Sequence, residues 1–147
     1  MQPNFTAVTV AVPGTCGELV QGWSADWDEP VLVSCPIKLY SQITVELYSG
    51  AGIVILDHAN DYSKLHQAAR LALNYLGRPD LGALIRPRSQ LDRGRGLASS
   101  TADIIGAMVG VALALGSTIP PAELARLACQ IEPSDSMMFA SLTMLAY

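Results

Sequence analysis

The sequence predicts an α+β domain of two layers, with helices packed on a sheet. Three observations carry this expectation. Apolar residues alternate with period two in residues 8–12 and 42–47, they recur every three or four residues from Asp61 to Leu76, and a nearly unbroken apolar run fills Ile104 to Leu115. The composition permits such a core, because half of the 147 residues are hydrophobic and only 15% are charged, outside the range of disordered chains.

In chain order, Val8, Val10 and Val12 mark a half-buried strand over Phe5 to Val12, which Pro13-Gly14 is expected to end. Trp23 to Glu29 reads as a turn and Val31-Leu32-Val33 as a short buried strand. After Pro36, Ile43, Val45 and Leu47 alternate with Gln42, Thr44 and Glu46, and Gly50-Ala51-Gly52 turns the chain into a strand over Ile53 to Leu56. Short links of this kind suit an antiparallel or mixed sheet. Tyr62, Leu65, Ala69, Ala72 and Leu76 form the inner stripe of a helix from Asp61 to Leu76, which Gly77 ends. His66 falls on its polar face and reads as a solvated side chain. Leu81 to Ile85 is a further strand. The helix from about Ser100 to Leu115 is apolar almost all round and needs burial on several sides, with Gly106 and Gly110 weakening its propensity but allowing close approach. Pro120-Pro121 opens a third helix, with Leu124, Leu127, Ala128 and Ile131 facing inward.

Charge and cysteine content narrow the function classes. A net charge of −4 disfavours a general nucleic-acid surface. Cys16, Cys35 and Cys129 are odd in number and lack C-x-x-C spacing, which suggests neither a disulfide framework nor a zinc site and points to a reducing, cytoplasmic setting. No signal peptide is expected at the N-terminus. Ile104 to Leu115 is too short for a membrane span, which takes about 20 residues.

The chemistry concentrates in Asp92-Arg93-Gly94-Arg95-Gly96-Leu97-Ala98-Ser99-Ser100-Thr101-Ala102-Asp103. A glycine-rich loop that feeds a buried helix offers unpaired N–H groups and the positive end of the helix dipole to an anion. Ser100 and Asp103 fit the S-x-x-D form of a capping box. Arg86, Arg88, Arg93 and Arg95 are either a solvated group or a positive field that draws phosphate to this loop. The residues alone leave two readings, a nucleotide-phosphate loop and an ordinary capped helix. Other phosphate motifs do not fit: no lysine follows Gly96 as a Walker loop requires, and Ser99 stands where the dinucleotide fingerprint needs glycine.

Gly96-Leu97-Ala98-Ser99-Ser100-Thr101-Ala102 resembles the central G-L-[GA]-S-S-x-A motif of the GHMP kinases, with Asp92 at the position where that motif usually has proline. Pro13-Gly14-Thr15-Cys16-Gly17-Glu18-Leu19-Val20-Gln21-Gly22 and Glu132-Pro133-Ser134-Asp135-Ser136 are similar to segments of the L-threonine kinases of cobalamin biosynthesis. The three motifs occur in the family's order along essentially the whole chain.

The resemblance implies the two-layer N-terminal domain of GHMP kinases, a ribosomal-protein-like fold with a left-handed βαβ unit. It implies transfer of the γ-phosphoryl group of ATP to the hydroxyl of L-threonine, with Mg²⁺. In that scheme Arg93, Gly94, Arg95, Gly96, Leu97, Ala98, Ser99, Ser100 and Thr101 bind ATP, and Ser100 and Glu132 hold Mg²⁺. Asp135 activates or orients the acceptor hydroxyl, and Glu18 pairs with the substrate ammonium. From the residues alone, Glu132 and Asp135 also read as a solvated acidic turn, and Cys16 as a small packed residue. The family's chains are about twice this length, so residues 1–147 are expected to be the N-terminal ATP-binding domain without the C-terminal one. The alternative is a non-catalytic domain of the same family that binds nucleotide or forms a homodimer through the face left open.

Overall fold

One long antiparallel ribbon forms the backbone of the sheet. In the computed structural model, which describes residues 6–57, 61–133, 138 and 143–146, β1 (Val8–Ser24) and β2 (Glu29–Ser49) run beside each other almost end to end. β2 also pairs with β4 (Leu81–Ser89), and β4 pairs in parallel with β3 (Ile53–Ile55), giving the order β1-β2-β4-β3. The parallel pair is joined by α1 (Ser63–Tyr75), so β3-α1-β4 is a βαβ unit. β5 (Thr143–Ala146) adds to the distal part of β2, opposite Val31 to Ser34.

Two sequence expectations need correction here. Pro13-Gly14 does not end the first strand. The chain continues through register shifts at Pro13/Thr15, Thr15/Glu18 and Glu18/Val20, and Pro36 faces Thr15 in this irregular stretch. A proline is tolerated there because the ladder is already interrupted. Val31-Leu32-Val33 and residues 42–47 are accordingly one strand and not two. The sequence expectations include no strand over Thr143–Ala146, where β5 lies.

The alternation after Pro36 sorts the two faces of the sheet as expected. Ile43, Val45, Leu47, Ala83 and Ile85 are buried under the helices, whereas Gln42, Arg86 and Arg88 are exposed on the outer face. There Thr9 and Thr44 share a hydroxyl–hydroxyl hydrogen bond of 2.8 Å. α1 contributes Leu65, Ala68, Ala69, Ala72 and Leu73 to the core, and α3 (Pro121–Ala128) contributes Leu124, Ala125, Leu127 and Ala128. His66 is exposed, as its place on the polar face predicts.

α2 (Ser99–Ala114) is the central helix. It lies across β1 and β2 and beside α1, with buried residues around nearly its whole circumference. Its glycines set the distance. A Cβ at Gly106 would stand 2.6 Å from Ile43 Cγ1, and one at Gly110 would stand 2.6 Å from Val45 Cγ2. Alanine is intrinsically the better helix former by about 1 kcal/mol, but an extra methyl in a filled core costs about 1–3 kcal/mol. Ile43 and Val45 are wholly buried and have little room to yield. Gly106→Ala and Gly110→Ala are each expected to destabilise the domain by about 1–2 kcal/mol in urea unfolding. An increase in stability would show that propensity outweighs the close contact.

Candidate functional site

The glycine loop joins β4 to α2, and its backbone is unusual. Gly94 (φ 73°), Gly96 (φ 69°) and Ala98 (φ 54°) are all left-handed, with residues of negative φ between them. Alternation of this kind forms anion-binding concavities in the backbone. Ala98 gains nothing from glycine's freedom, so its conformation stores on the order of 1 kcal/mol of strain. It is also the N-cap residue of α2 and supplies no side-chain cap. The first-turn N–H groups of Ser99, Ser100 and Thr101 therefore have no acceptor within the helix. The capping box expected from Ser100 and Asp103 does not form: Ser100 lies inside the helix, and the Asp103 carboxylate is engaged elsewhere.

The irregular stretch of β1 supports the loop from below. Thr15 N–H donates to the Leu97 carbonyl at 3.2 Å. A Cβ at Gly14 would lie 2.6 Å from that carbonyl oxygen and 2.5 Å from Leu91 Cδ2, so only glycine fits beneath the loop. Thr15 is buried, and its hydroxyl has no hydrogen-bond partner among the described residues. Cys16 is exposed, contrary to its expected role as a packed residue.

Asp103 links three elements. Its Oδ1 accepts from the Ser41 hydroxyl of β2 at 2.6 Å, and its Oδ2 accepts from Arg93 Nη2 at 2.8 Å. The Arg93 guanidinium also lies over the Tyr62 ring, 4.6 Å from its centroid, within the range of a cation–π contact. Tyr62 in turn donates its hydroxyl to Asp57 Oδ2 at 2.8 Å. The Asp103 side chain is 5% exposed and that of Arg93 38%. Burial raises the Asp103 pKa above its ordinary value, against the opposing pull of the Ser41 hydrogen bond and the Arg93 charge. Withdrawing Arg93 would leave a buried carboxylate with one hydroxyl partner, at a cost on the order of 3 kcal/mol.

A cleft of about 270 Å³ opens between the start of α1 and the start of α2. Tyr62, Lys64, Arg93, Gly94, Ser100 and Asp103 are among its walls. Of the residues expected to bind ATP, Arg93, Gly94, Ser99 and Ser100 are brought together here. Arg95 is exposed on the loop, 3.6 Å from Asp92, and Thr101 is buried behind it. The expected field of four arginines divides: Arg86 and Arg88 lie on the outer face of the sheet, where Arg86 faces Glu46 at 3.7 Å. Glu132 receives an ion pair from Lys64. Asp135 lies outside the described residues, as does the side chain of Glu18, whose backbone pairs with Ser34.

Among the described residues there is no cluster of three or more His, Cys, Asp or Glu side chains. Ser100 at the cleft and Glu132 beside Lys64 are two oxygen donors, the small number that Mg²⁺ takes from a protein when it arrives with phosphate oxygens and waters. Sequence reasoning missed Ser41, Tyr62 and Lys64 as parts of this region. Ser41 did carry a signal, since it is a polar residue in the inward series that continues through Ile43, Val45 and Leu47.

Asp103 also generates a pH prediction. Its folded pKa is raised above 3.8, the unfolded value, so the folded state retains the proton longer. The contribution to stability is complete below the unfolded pKa and is lost as pH rises through the folded one. Asp103→Asn does not titrate there. The stability of the wild type relative to Asp103→Asn is expected to fall as pH rises through this window, as read from paired urea titrations. A wild-type advantage that grows with pH would contradict the burial argument.

Comparison with known proteins agrees with this fold. The family model for the GHMP kinases N terminal domain matches residues 63–142. The L-threonine kinase of Citrobacter freundii is 37% identical over 136 residues, which cover 90% of this chain and 44% of that protein. The L-threonine kinase of Salmonella typhimurium is 33% identical over 132 residues, 90% of this chain and 42% of that protein. The chain thus spans less than half the length of these relatives. A crystal structure of mevalonate kinase superposes with a TM-score of 0.74 at 18% identity, covering 95% of this chain and 54% of that one, a likeness of fold alone. Since the family match spans more than half of the sequence and the architecture agrees with it, the chain belongs to the GHMP kinase family.

Proposed function

We propose that this domain provides the ATP-binding part of a small-molecule kinase whose phosphoryl acceptor is the hydroxyl of L-threonine. The observation that carries the reading is the loop of three left-handed residues that leads into the uncapped N-terminus of α2 beside a cleft. Similarity to the two L-threonine kinases supports the choice of acceptor.

In this reading the N–H groups from Gly96 to Ser100 receive the phosphates, aided by the dipole of α2. Arg95, exposed beside them, adds positive charge. Mg²⁺, bound with ATP through Ser100 and Glu132, supplies charge neutralisation between the phosphates. Lys64, which lines the cleft, is ion-paired to Glu132. Asp135 takes or orients the acceptor proton, and Glu18 pairs with the threonine ammonium. The product is O-phospho-L-threonine, a precursor in cobalamin biosynthesis in the scheme the resemblance implies.

A second reading is a nucleotide-binding or self-associating domain without turnover of its own. Exposed Val20, Trp23 and Trp27 on the distal ribbon favour it, since they offer apolar surface to another body.

The test is ADP formation from Mg-ATP with L-threonine, L-serine or L-homoserine as acceptor, combined with thermal unfolding with and without nucleotide. Threonine-dependent turnover is expected to fall by about 10²–10³ in Ser100→Ala and Asp135→Ala. Nucleotide at about 100 times its Kd should add about 2.7 kcal/mol of stability. Stabilisation without turnover of any acceptor supports the second reading. No stabilisation by ATP or ADP rejects the phosphate loop.

A further inference from the structure

Arg93 lines the cleft together with Lys64, and its charge invites assignment as a phosphate ligand. Its surroundings argue otherwise. Its Nη2 donates to a carboxylate that is almost fully buried, and its guanidinium face covers the Tyr62 ring. Both contacts join the glycine loop to neighbouring elements, Asp103 to α2 and Tyr62 to the start of α1. Asp103 is itself tied to β2 by Ser41. A phosphate that drew Arg93 Nη2 away would leave the buried carboxylate with the Ser41 hydroxyl as its remaining hydrogen bond among the described residues, which largely offsets what the new contact gains.

We propose that Asp103 is a positioning residue: by holding Arg93 against Tyr62, it keeps the glycine loop in its phosphate-receiving shape, so that Arg93 is the strap of the loop and not a ligand of the nucleotide. The loop needs such a strap. Ala98 is held in a left-handed conformation, and Gly94 and Gly96 give the unliganded backbone wide freedom. The exposed Asp92–Arg95 pair is too solvated to fix it. The strap is a two-sided clamp with one buried end, and it acts on the backbone N–H groups through the position of residue 93.

The inference rests on the nucleotide reading given above, and a double-mutant cycle separates the two. ADP affinity is measured by calorimetry for the wild type, Asp103→Asn, Arg93→Gln and the double variant, each with its thermal midpoint recorded without nucleotide. A strap predicts that each single change weakens ADP binding at least ten-fold and that the double variant is no weaker than the worse single. Arg93→Lys should lose as much as Arg93→Gln, because lysine cannot both stack on Tyr62 and meet the carboxylate in the same way. Ser41→Ala, which removes only the far anchor, supplies a milder loss should Asp103→Asn fold poorly. The inference is overturned if Arg93→Gln weakens ADP while Asp103→Asn leaves it unchanged or tighter, since a freed arginine would then be the ligand. It is also overturned if Arg93→Lys keeps wild-type affinity, or if folded variants with lowered midpoints bind ADP normally. A wild type that binds no ADP at all removes the nucleotide reading itself, and the strap with it.

Discussion

Between α2 and the sheet there is no space for a methyl group at Gly106 or Gly110, and the position of the functional loop follows from that contact. Ile43 and Val45 fill the gap that the two glycines leave, so the helix axis sits close to β2 and its N-terminus emerges beside Ser41. A larger residue at either position would lift the helix and carry Ser99, Ser100 and Asp103 with it. The helix is a poor one by propensity, with β-branched residues and two glycines. Its stability comes from burial, which is why the same residues that weaken it locally fix it globally.

The polar groups near the loop are placed by the same logic. Asp103 is carried into the protein because its helix is buried, and it remains there because Ser41 and Arg93 meet it. Gly14 allows β1 to pass directly beneath Leu97, where the Thr15 amide binds the loop carbonyl. The loop is thus held from below by β1, from behind by α2 and from the side by Tyr62. An anion site made from backbone N–H groups depends on such restraint, since its donors must converge before the ligand arrives.

Much of the architecture was legible in the sequence. The period-two pattern of residues 42–47 and the three-to-four spacing of α1 each reflect one buried face, and the structure agrees with both. Gly106 and Gly110 announced close packing correctly. Local signals misled where long-range pairing overrode them. Pro13-Gly14 and Pro36 are strong breakers in isolation, yet β1 and β2 continue past them because the irregularities fall opposite each other. The Ser100–Asp103 spacing has the form of a cap, but Asp103 found stronger partners from β2 and the loop, which no local pattern encodes. The division of the four arginines was hidden for a simpler reason. Strand alternation sends Arg86 and Arg88 outward, whereas Arg93 comes after the strand has ended.

The seating of β5 opposite Val31 to Ser34 has a bearing on folding order. The proximal ribbon, β3, β4, α1 and α2 close largely through contacts made before α3 is reached. The distal ribbon, with Trp23 and Trp27 at its surface, gains β5 only from the far end of the described chain. Non-local pairing of this kind is slow, because loop closure must precede any gain from the strand. Until β5 is seated, one edge of distal β2 has no strand beside it among the described residues, and an unpaired edge of this kind is where association with other chains is most easily nucleated.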